Sequence, residues 1–123
     1  MTKGPYYVSE ADLYENVTIL YETGEFTKKL SDDLMRMCRR IVGAKRFDSC
    51  SDILREEMIS SAFAHVCLRL IQRKYDFHRG SKVYSWASRV IINDCLQSIL
   101  KDTRRRTKFL QYAERTYEGP MNN

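Results

Sequence analysis

The strongest constraint on the fold is an uninterrupted helical pattern that begins near Lys82 and continues past Leu100. No glycine or proline falls within it, and its apolar residues recur at the spacing of three and four that is typical of a helix. One side carries an ordinary core stripe that consists of Ile91, Ile92, Cys95 and Ile99. Tyr84 and Ser88 lie at the N-terminal end of this stripe. The alternation typical of strands is absent throughout the sequence, which therefore predicts an all-α protein.

The opposite side of this helix has an unusual composition for a surface exposed to water. It carries an indole, a guanidinium, a branched aliphatic side chain and two amides, at Trp86, Arg89, Val90, Asn93 and Gln97. Aromatic, cationic and amide side chains stack on bases, hold phosphates and read base edges. The pattern therefore indicates a nucleic-acid surface. The alternative is that Trp86 covers the edge of the core and that its neighbours are solvated residues.

Three further helices are predicted upstream, and each combines an apolar stripe with a polar residue at its start. They cover residues 9–22, 31–46 and 51–74. Their predicted N-caps are all serines: Ser9, Ser31 and Ser51. Gly24 is expected to end the first helix in a left-handed conformation. With the helix from Lys82, these segments predict a small bundle of about four helices that forms a single domain over residues 1–123.

The composition is that of a globular domain without a membrane span. The chain has 123 residues, of which 43% are hydrophobic and 30% charged, so it can bury a core. The first ten residues lack the apolar centre of a secretion signal, and we expect a cytoplasmic protein. Four separated cysteines are interpreted as buried, reduced thiols: Cys38, Cys50, Cys67 and Cys95.

No pattern in the sequence indicates catalysis, a metal or a cofactor. There is no glycine-rich phosphate loop, no Ser/His/Asp set and no cluster of carboxylates on one face. Glu56 and Glu57 are adjacent, so their side chains point about 100° apart on a helix and cannot form an acid/base pair. The two histidines, His65 and His78, have no C-x-x-C pair beside them, so no zinc site is expected. The chain is interpreted as a binding module, not an enzyme.

Positive charge is concentrated in one part of the chain. The segment from Arg69 to Lys108 contains eleven basic and three acidic residues, whereas the whole chain has a net charge of only +5. A dense basic block on a small domain is the expected electrostatic footprint of a nucleic-acid surface. The block ends with the run Arg104, Arg105 and Arg106, which adjoins the unusual side of the last helix. The alternative is a solvated basic surface that has no partner.

Two motifs in this order resemble region 2 of the bacterial sigma factors. The string KYDFHRGSKVYSWA, from Lys74 to Ala87, resembles the family's sequence of an aromatic and an acid, a basic pair, Gly, Lys, small or hydroxyl residues, an aromatic and Ala. Upstream, EEMIS at 56–60 resembles the family's polymerase-binding helix. The layout of residues 7–106 is similar to that of the small late-transcription sigma factors of tailed bacteriophages, and 109–123 would form a C-terminal tail.

The resemblance implies a transcription initiation factor that binds the RNA polymerase core and directs it to promoters with an AT-rich −10-type element. The implied polymerase-binding residues would dock on the clamp helices of the largest subunit: Glu57, Met58, Ser60 and Ser61. The implied DNA-binding residues would capture the non-template strand: Arg79, Lys82, Trp86, Arg89, Val90 and Asn93, with Arg104, Arg105 and Arg106 from the basic run. In this scheme Trp86 stacks on an unpaired adenine, while Arg79 and Lys82 contact the backbone.

Two departures from the family limit the implied activity. Primary sigma factors carry adjacent tryptophans where this chain has Arg89 and Val90, and the regions that read the −35 element are missing. Strong autonomous melting is therefore not expected, and the protein should either read one promoter element only or rely on a co-activator. If the protein is phage-encoded, it would act in the cytoplasm of the bacterial host. Two alternatives remain: a helix-turn-helix-like regulator that reads duplex DNA with residues 82–97, and a polymerase-binding helical protein that makes no DNA contact.

Overall fold

All regular structure in the described part of the chain is helical, as the sequence predicts. The computed structural model describes the backbone of residues 7–121 and the side chains of residues 7–116. Its helices are α1 (Glu10–Thr23), α2 (Lys28–Val42), α3 (Asp52–Ile71) and α4 (Val83–Met121). Single 3₁₀ turns, Lys45–Phe47 and Phe77–Arg79, lie in the connections before α3 and α4. Within residues 7–121, no helix has the combination of length and apolar character that crossing a bilayer requires.

The predicted helix starts are correct at Ser9 and Ser51 and wrong at Ser31. Ser9 and Ser51 each accept a hydrogen bond from the backbone N–H three residues later. The N-cap of α2 is instead Thr27, whose hydroxyl accepts from the third N–H along, so Ser31 lies within the helix. Thr27 is fixed by a second contact, because its hydroxyl donates to Asn16 Oδ1 of α1 at 2.6 Å. This contact between helices overrides the local signal at Ser31.

The helix ends differ more from the prediction than the starts do. Gly24 ends α1 with φ 79°, as expected for a left-handed cap. α2 stops at Val42, four residues early, because the 3₁₀ turn that follows buries Phe47 in the core. α4, by contrast, continues without interruption through the basic run. Residues 109–121, interpreted from sequence as a tail with a loose end, are therefore helical, and 122–123 lie outside the described residues.

The core lies between the four helices, and the α3–α4 pair has the most extensive contact. α4 contributes a row of fully buried residues at a spacing of four: Val83, Ala87, Ile91 and Cys95. Ile92 and Ile99, assigned to the core stripe from the sequence, are only partly buried. A row at a spacing of four brings Val83 and Ala87 into the core, although the predicted stripe did not include them.

The cysteines are free thiols at two depths. Cys38 and Cys95 are buried as expected, whereas Cys50 and Cys67 are only partly buried. Burial raises the pKa of Cys38 to about 12 and the pKa of Cys67 and of Cys95 to about 11. These three side chains are therefore protonated at neutral pH, and a protonated thiol is a poor nucleophile.

A carboxylate from α1 caps the start of α4. Glu10 accepts hydrogen bonds from the backbone N–H groups of Val83 at 3.1 Å and Tyr84 at 2.7 Å. Both N–H groups belong to the first turn of α4, where no carbonyl of the helix can accept them. The negative charge also lies at the positive end of the helix dipole. The contact therefore fixes both the start of α4 and its position against α1.

Replacing Glu10 with Ala should destabilise the bundle by about 1–2 kcal/mol, which is the usual effect of losing a side-chain cap. Urea denaturation followed by circular dichroism measures this difference. Glu15→Ala is the matched control, since Glu15 is an exposed acid of the same helix. Equal stability of the two variants would contradict a structural role for the Glu10 contact.

Candidate nucleic-acid interface

A polar groove of about 670 Å³ lies where the turn after α3 meets the first turns of α4. Its lining combines two aromatic rings with three cations, an acid and a hydroxyl: Lys74, Tyr75, Asp76, Arg79, Ser81, Trp86 and Arg89. The structure thus brings together three of the residues predicted to bind DNA, namely Arg79, Trp86 and Arg89. We call this site the Trp86 groove.

The floor of the Trp86 groove is held by a pair of tyrosines. The Tyr21 hydroxyl accepts from the backbone N–H of Tyr75 at 3.0 Å and donates to its carbonyl at 2.9 Å. The hydroxyl of Tyr75 in turn donates to the Ser81 carbonyl at 2.5 Å, which closes the turn. Burial raises the pKa of both Tyr21 and Tyr75. Both phenols are therefore neutral at physiological pH and keep the protons that they donate to these carbonyls.

The turn itself is packed by an aromatic cluster and capped at both ends. The Phe77 ring meets three tyrosine rings edge to face, at centroid distances of 5.0–5.2 Å. Asp76 accepts the backbone N–H of His78 at 2.8 Å, and Gly80 leaves the turn at φ 83°, where a side chain would be strained. The short turn is therefore rigid, and it presents Arg79 at the exposed rim of the groove.

Trp86 lies partly in the groove and partly against the core. Its indole meets the Tyr75 ring at a centroid distance of 5.5 Å and an interplanar angle of 65°. Both Trp86 and Val90 are partly buried and pack on the core edge. The expectation that Trp86 faces away from the core is therefore wrong in part, and the alternative of a core-edge residue is right in part. The indole nonetheless lines the groove beside Arg89, whose guanidinium donates to the Ser81 hydroxyl at 3.3 Å.

The other predicted DNA-binding residues lie outside the groove. Lys82, directly before α4, and Asn93, on α4, are exposed, but neither lines the groove, and Val90 packs on the core. The basic run begins eighteen residues beyond Trp86, which is about 27 Å along a helix. Two of its arginines form ion pairs: Arg105 lies 3.9 Å from Glu57, and Arg106 lies 3.0 Å from Asp102. The predicted set therefore spans two separate regions of α4.

The groove also contains residues that sequence reasoning did not assign to the site. Lys74, Tyr75, Asp76 and Ser81 line it, and all four belong to the motif string from Lys74 to Ala87. Their position within that string is the sequence feature that could have assigned them to the site. What the sequence did not reveal is that the turn folds back so that Lys74 and Arg89 border the same groove.

A second surface lies at the start of α3, in an open depression of about 810 Å³. Its lining is mainly acidic and hydroxylic, with one apolar side chain: Asp52, Ile53, Glu56, Glu57, Ser60 and Ser61. We call it the α3 face. It contains three of the four predicted polymerase-binding residues. The fourth, Met58, was wrongly assigned, because its side chain is fully buried in the core and cannot touch a partner. Ile53, which is 77% exposed, was not predicted.

His65 links α3 to α4 through polar contacts on both of its ring nitrogens. Its Nδ1 lies 2.7 Å from Asp94 Oδ1, while Arg69 donates to its Nε2 at 3.3 Å. The three side chains therefore form a polar tie across the helix pair.

No family model, curated protein or solved structure matches this chain. The functional conclusion therefore depends on the chain's own surfaces, the Trp86 groove and the α3 face. Their chemistry differs, since the groove is cationic and aromatic while the α3 face is acidic with one exposed aliphatic side chain.

Replacing Trp86 with Ala should destabilise the protein by about 1–2 kcal/mol. A fully buried aromatic residue would cost about 3–5 kcal/mol, but Trp86 is only partly buried and retains one ring contact. Trp86→Phe, which keeps a ring against Tyr75, should recover most of the loss. Urea denaturation of the three proteins tests this, and an unchanged stability of the Ala variant would contradict the packing described here.

Proposed function

We propose that this protein is a sigma-like transcription initiation factor, which binds the RNA polymerase core and helps to open an AT-rich −10-type promoter element. The observation that carries the proposal is the Trp86 groove, which places an indole beside three cations. Proteins that bind single strands combine an aromatic platform for the base with cations along the phosphate backbone. The α3 face supports the second half of the proposal, a separate surface for a protein partner.

Within the groove, each chemical group has a distinct task. Trp86 provides the ring surface for an unpaired base, and the carboxylate of Asp76 can accept from a base amino group. The exposed cations Lys74, Arg79 and Arg89 provide charge for the flanking phosphates. Because the turn is already fixed by its tyrosines, little ordering cost falls on binding.

The energies indicate why such a factor needs the polymerase. Extruding a base costs a few kcal/mol of lost stacking and pairing, and one aromatic platform returns about 1–3 kcal/mol. A single tryptophan therefore roughly offsets the cost of one base. Phosphate contacts and the polymerase supply the remainder, and AT-rich DNA, with its weaker pairing, is the least costly to open. The activity proposed is hence assisted melting within a complex.

The alternative of a duplex-reading regulator fits the start of α4 less well. In helix-turn-helix proteins, the N-terminal residues of the recognition helix contact base edges in the major groove. Here Glu10 already occupies the first N–H groups of α4, so they are not free to contact DNA. An unpaired base that enters from the side requires no such access.

The chain should bind AT-rich single-stranded DNA at low salt, and Trp86 should report it. Trp86 is the only tryptophan in the sequence, so a base stacked on it should quench the protein's indole fluorescence. Arg89→Ala should weaken binding and lower the slope of log K against log salt by about 0.7, the value for one phosphate contact on a single strand. Arg46→Ala, at an exposed arginine of the turn before α3, is the matched control.

An unchanged fluorescence signal over the full titration would contradict the role given to the groove. It would favour the remaining alternative, a polymerase-binding helical protein without DNA contact. Equal salt slopes for Arg89→Ala and the wild type would exclude a phosphate contact at Arg89.

Replacing Glu57 with Lys should reduce retention on the RNA polymerase core of the native host. The change reverses the charge at the centre of the α3 face, where a side chain that is 56% exposed contributes little to folding. Glu25→Lys, at an exposed acid beyond α1, is the control. A pull-down in which both variants retain the core as well as the wild type would exclude the α3 face as the docking surface.

A further inference from the structure

The side of α4 that holds Trp86 continues as a polar surface beyond the groove. A helix turns by about 100° per residue, so residues seven, eleven or eighteen positions apart point in nearly the same direction. Counted from Trp86, these separations reach Asn93, Gln97 and Arg104, which are all exposed. The surface therefore runs from the Trp86 groove toward the C-terminal half of α4.

This side of α4 carries cations and no acids. Five exposed cations among residues 86–115 lie within about 60° of the direction of Trp86: Arg89, Lys101, Arg104, Lys108 and Arg115. The acids of the same stretch, Asp94, Asp102 and Glu114, point about 80° or more away from that direction. The surface is therefore positive over the part of α4 whose side chains the structure describes.

The run of three arginines is divided by the turn of the helix. Arg104 follows Trp86 by five full turns and points to the same side, whereas Arg105 and Arg106 are rotated by about 100° and 200°. Those two arginines already form ion pairs with acids of α3 and α4. Of the run, Arg104 alone belongs to the surface that leads from the groove.

Three cations beyond the groove are unpaired. Lys101, Arg104 and Lys108 form no ion pair with any residue that the structure describes, so their charges are available to a ligand. We call these three residues the α4 track. They cover about 10 Å of the helix axis at 1.5 Å per residue, and on the same scale Arg104 lies about 27 Å beyond Trp86.

The α4 track fits double-stranded DNA better than a single strand. Duplex DNA carries one negative charge per about 1.7 Å of its axis, so a cationic surface about 10 Å long faces a dense row of phosphates. A single strand also exposes its bases, which bind by stacking on aromatic rings. No aromatic residue occurs between Trp86 and Phe109, so the track offers phosphate contacts without a platform for bases.

We propose that the protein binds the junction between a single strand and a duplex, with an unpaired base in the Trp86 groove and the duplex along the α4 track. At about 3.4 Å per base pair, the distance of about 27 Å from Trp86 to Arg104 corresponds to about 8 bp of duplex. This duplex does not need the start of α4, where the first N–H groups are bonded to Glu10.

The two halves of the junction are bound by separate residues. The base contact rests on the proposed function, whereas the duplex contact rests only on the α4 track. Once one half is bound, the other half binds as part of the same complex, so the junction should bind more tightly than either half alone.

Fluorescence anisotropy with labelled DNA and the full chain at low salt tests the junction. The probes are an AT-rich single strand, a blunt duplex, and the same single strand joined to duplex arms of about 4, 8 and 12 bp. The junction with an arm of about 8 bp should bind at least about tenfold more tightly than the one with about 4 bp. Lengthening the arm to about 12 bp should add less, because the track ends about 10 bp from Trp86.

Replacing Arg104 with Ala tests the α4 track directly. For the junction with an arm of about 12 bp, the slope of log K against log salt should fall by about 0.9, the value for one phosphate contact on a duplex. The junction with the shortest arm should keep its slope, since its duplex ends before the track. Arg39→Ala, at an exposed arginine of α2, is the matched control, and circular dichroism checks that both variants are folded.

Three results would overturn the proposal. Equal affinities for short and long arms would show that the α4 track holds no duplex. An unchanged salt slope for Arg104→Ala would exclude the phosphate contact at the centre of the track. A blunt duplex that binds as tightly as the junction would exclude the combined site. A dependence on arm length without quenching of Trp86 fluorescence would instead support the duplex contact and contradict only the base contact of the proposed function.

Discussion

The hydrogen bonds from α4 to Glu10 are the contact on which the rest of the structure depends. They join residues more than seventy positions apart, and they fix where the longest helix begins. Once Val83 and Tyr84 are held, a spacing of four places Ala87 and Ile91 in the core. The same register places Trp86 at the core edge. A start displaced by one residue would rotate α4 by about 100° and would move the indole off the groove.

The second constraint is that the turn before α4 is built from aromatic rings whose polar atoms are all used. Tyr21 holds both backbone groups of Tyr75, and Tyr75 holds the carbonyl of Ser81. Replacing these hydrogen bonds with bonds to water would cost free energy, so the turn keeps its shape when a ligand binds. The flexible cationic side chains, by contrast, stay at the rim. A rigid floor with flexible cations at its rim would suit a nucleic-acid strand, because the backbone of such a strand is constant while its bases vary.

Local signals in the sequence predicted which segments form helices. Contacts between the helices determined where one of them begins and which side chains face the core. Ser9 and Ser51 act within their own helices, so their caps could be predicted. The cap at Thr27 could not be predicted, because its hydrogen bond to Asn16 depends on how α1 packs against α2. The same distinction applies to the sites. Arg79 and Trp86 belong to one motif string, and Arg89 was predicted from the side of the helix that it shares with Trp86. Met58 was misassigned because a one-dimensional motif does not show which side of α3 faces the core.

The placement of the two surfaces permits them to be occupied together. The Trp86 groove lies near the end of α3, whereas the α3 face lies at its start, and the helix between them has twenty residues. At 1.5 Å per residue the two sites are about 30 Å apart, well beyond the Debye length of about 8 Å at physiological salt. A contact confined to the α3 face would therefore leave the groove uncovered and its cations unscreened. Because α3 and α4 are tied along their length by the core and by His65, the helix pair is a rigid strut that holds the Trp86 groove and the α3 face at a fixed distance from each other.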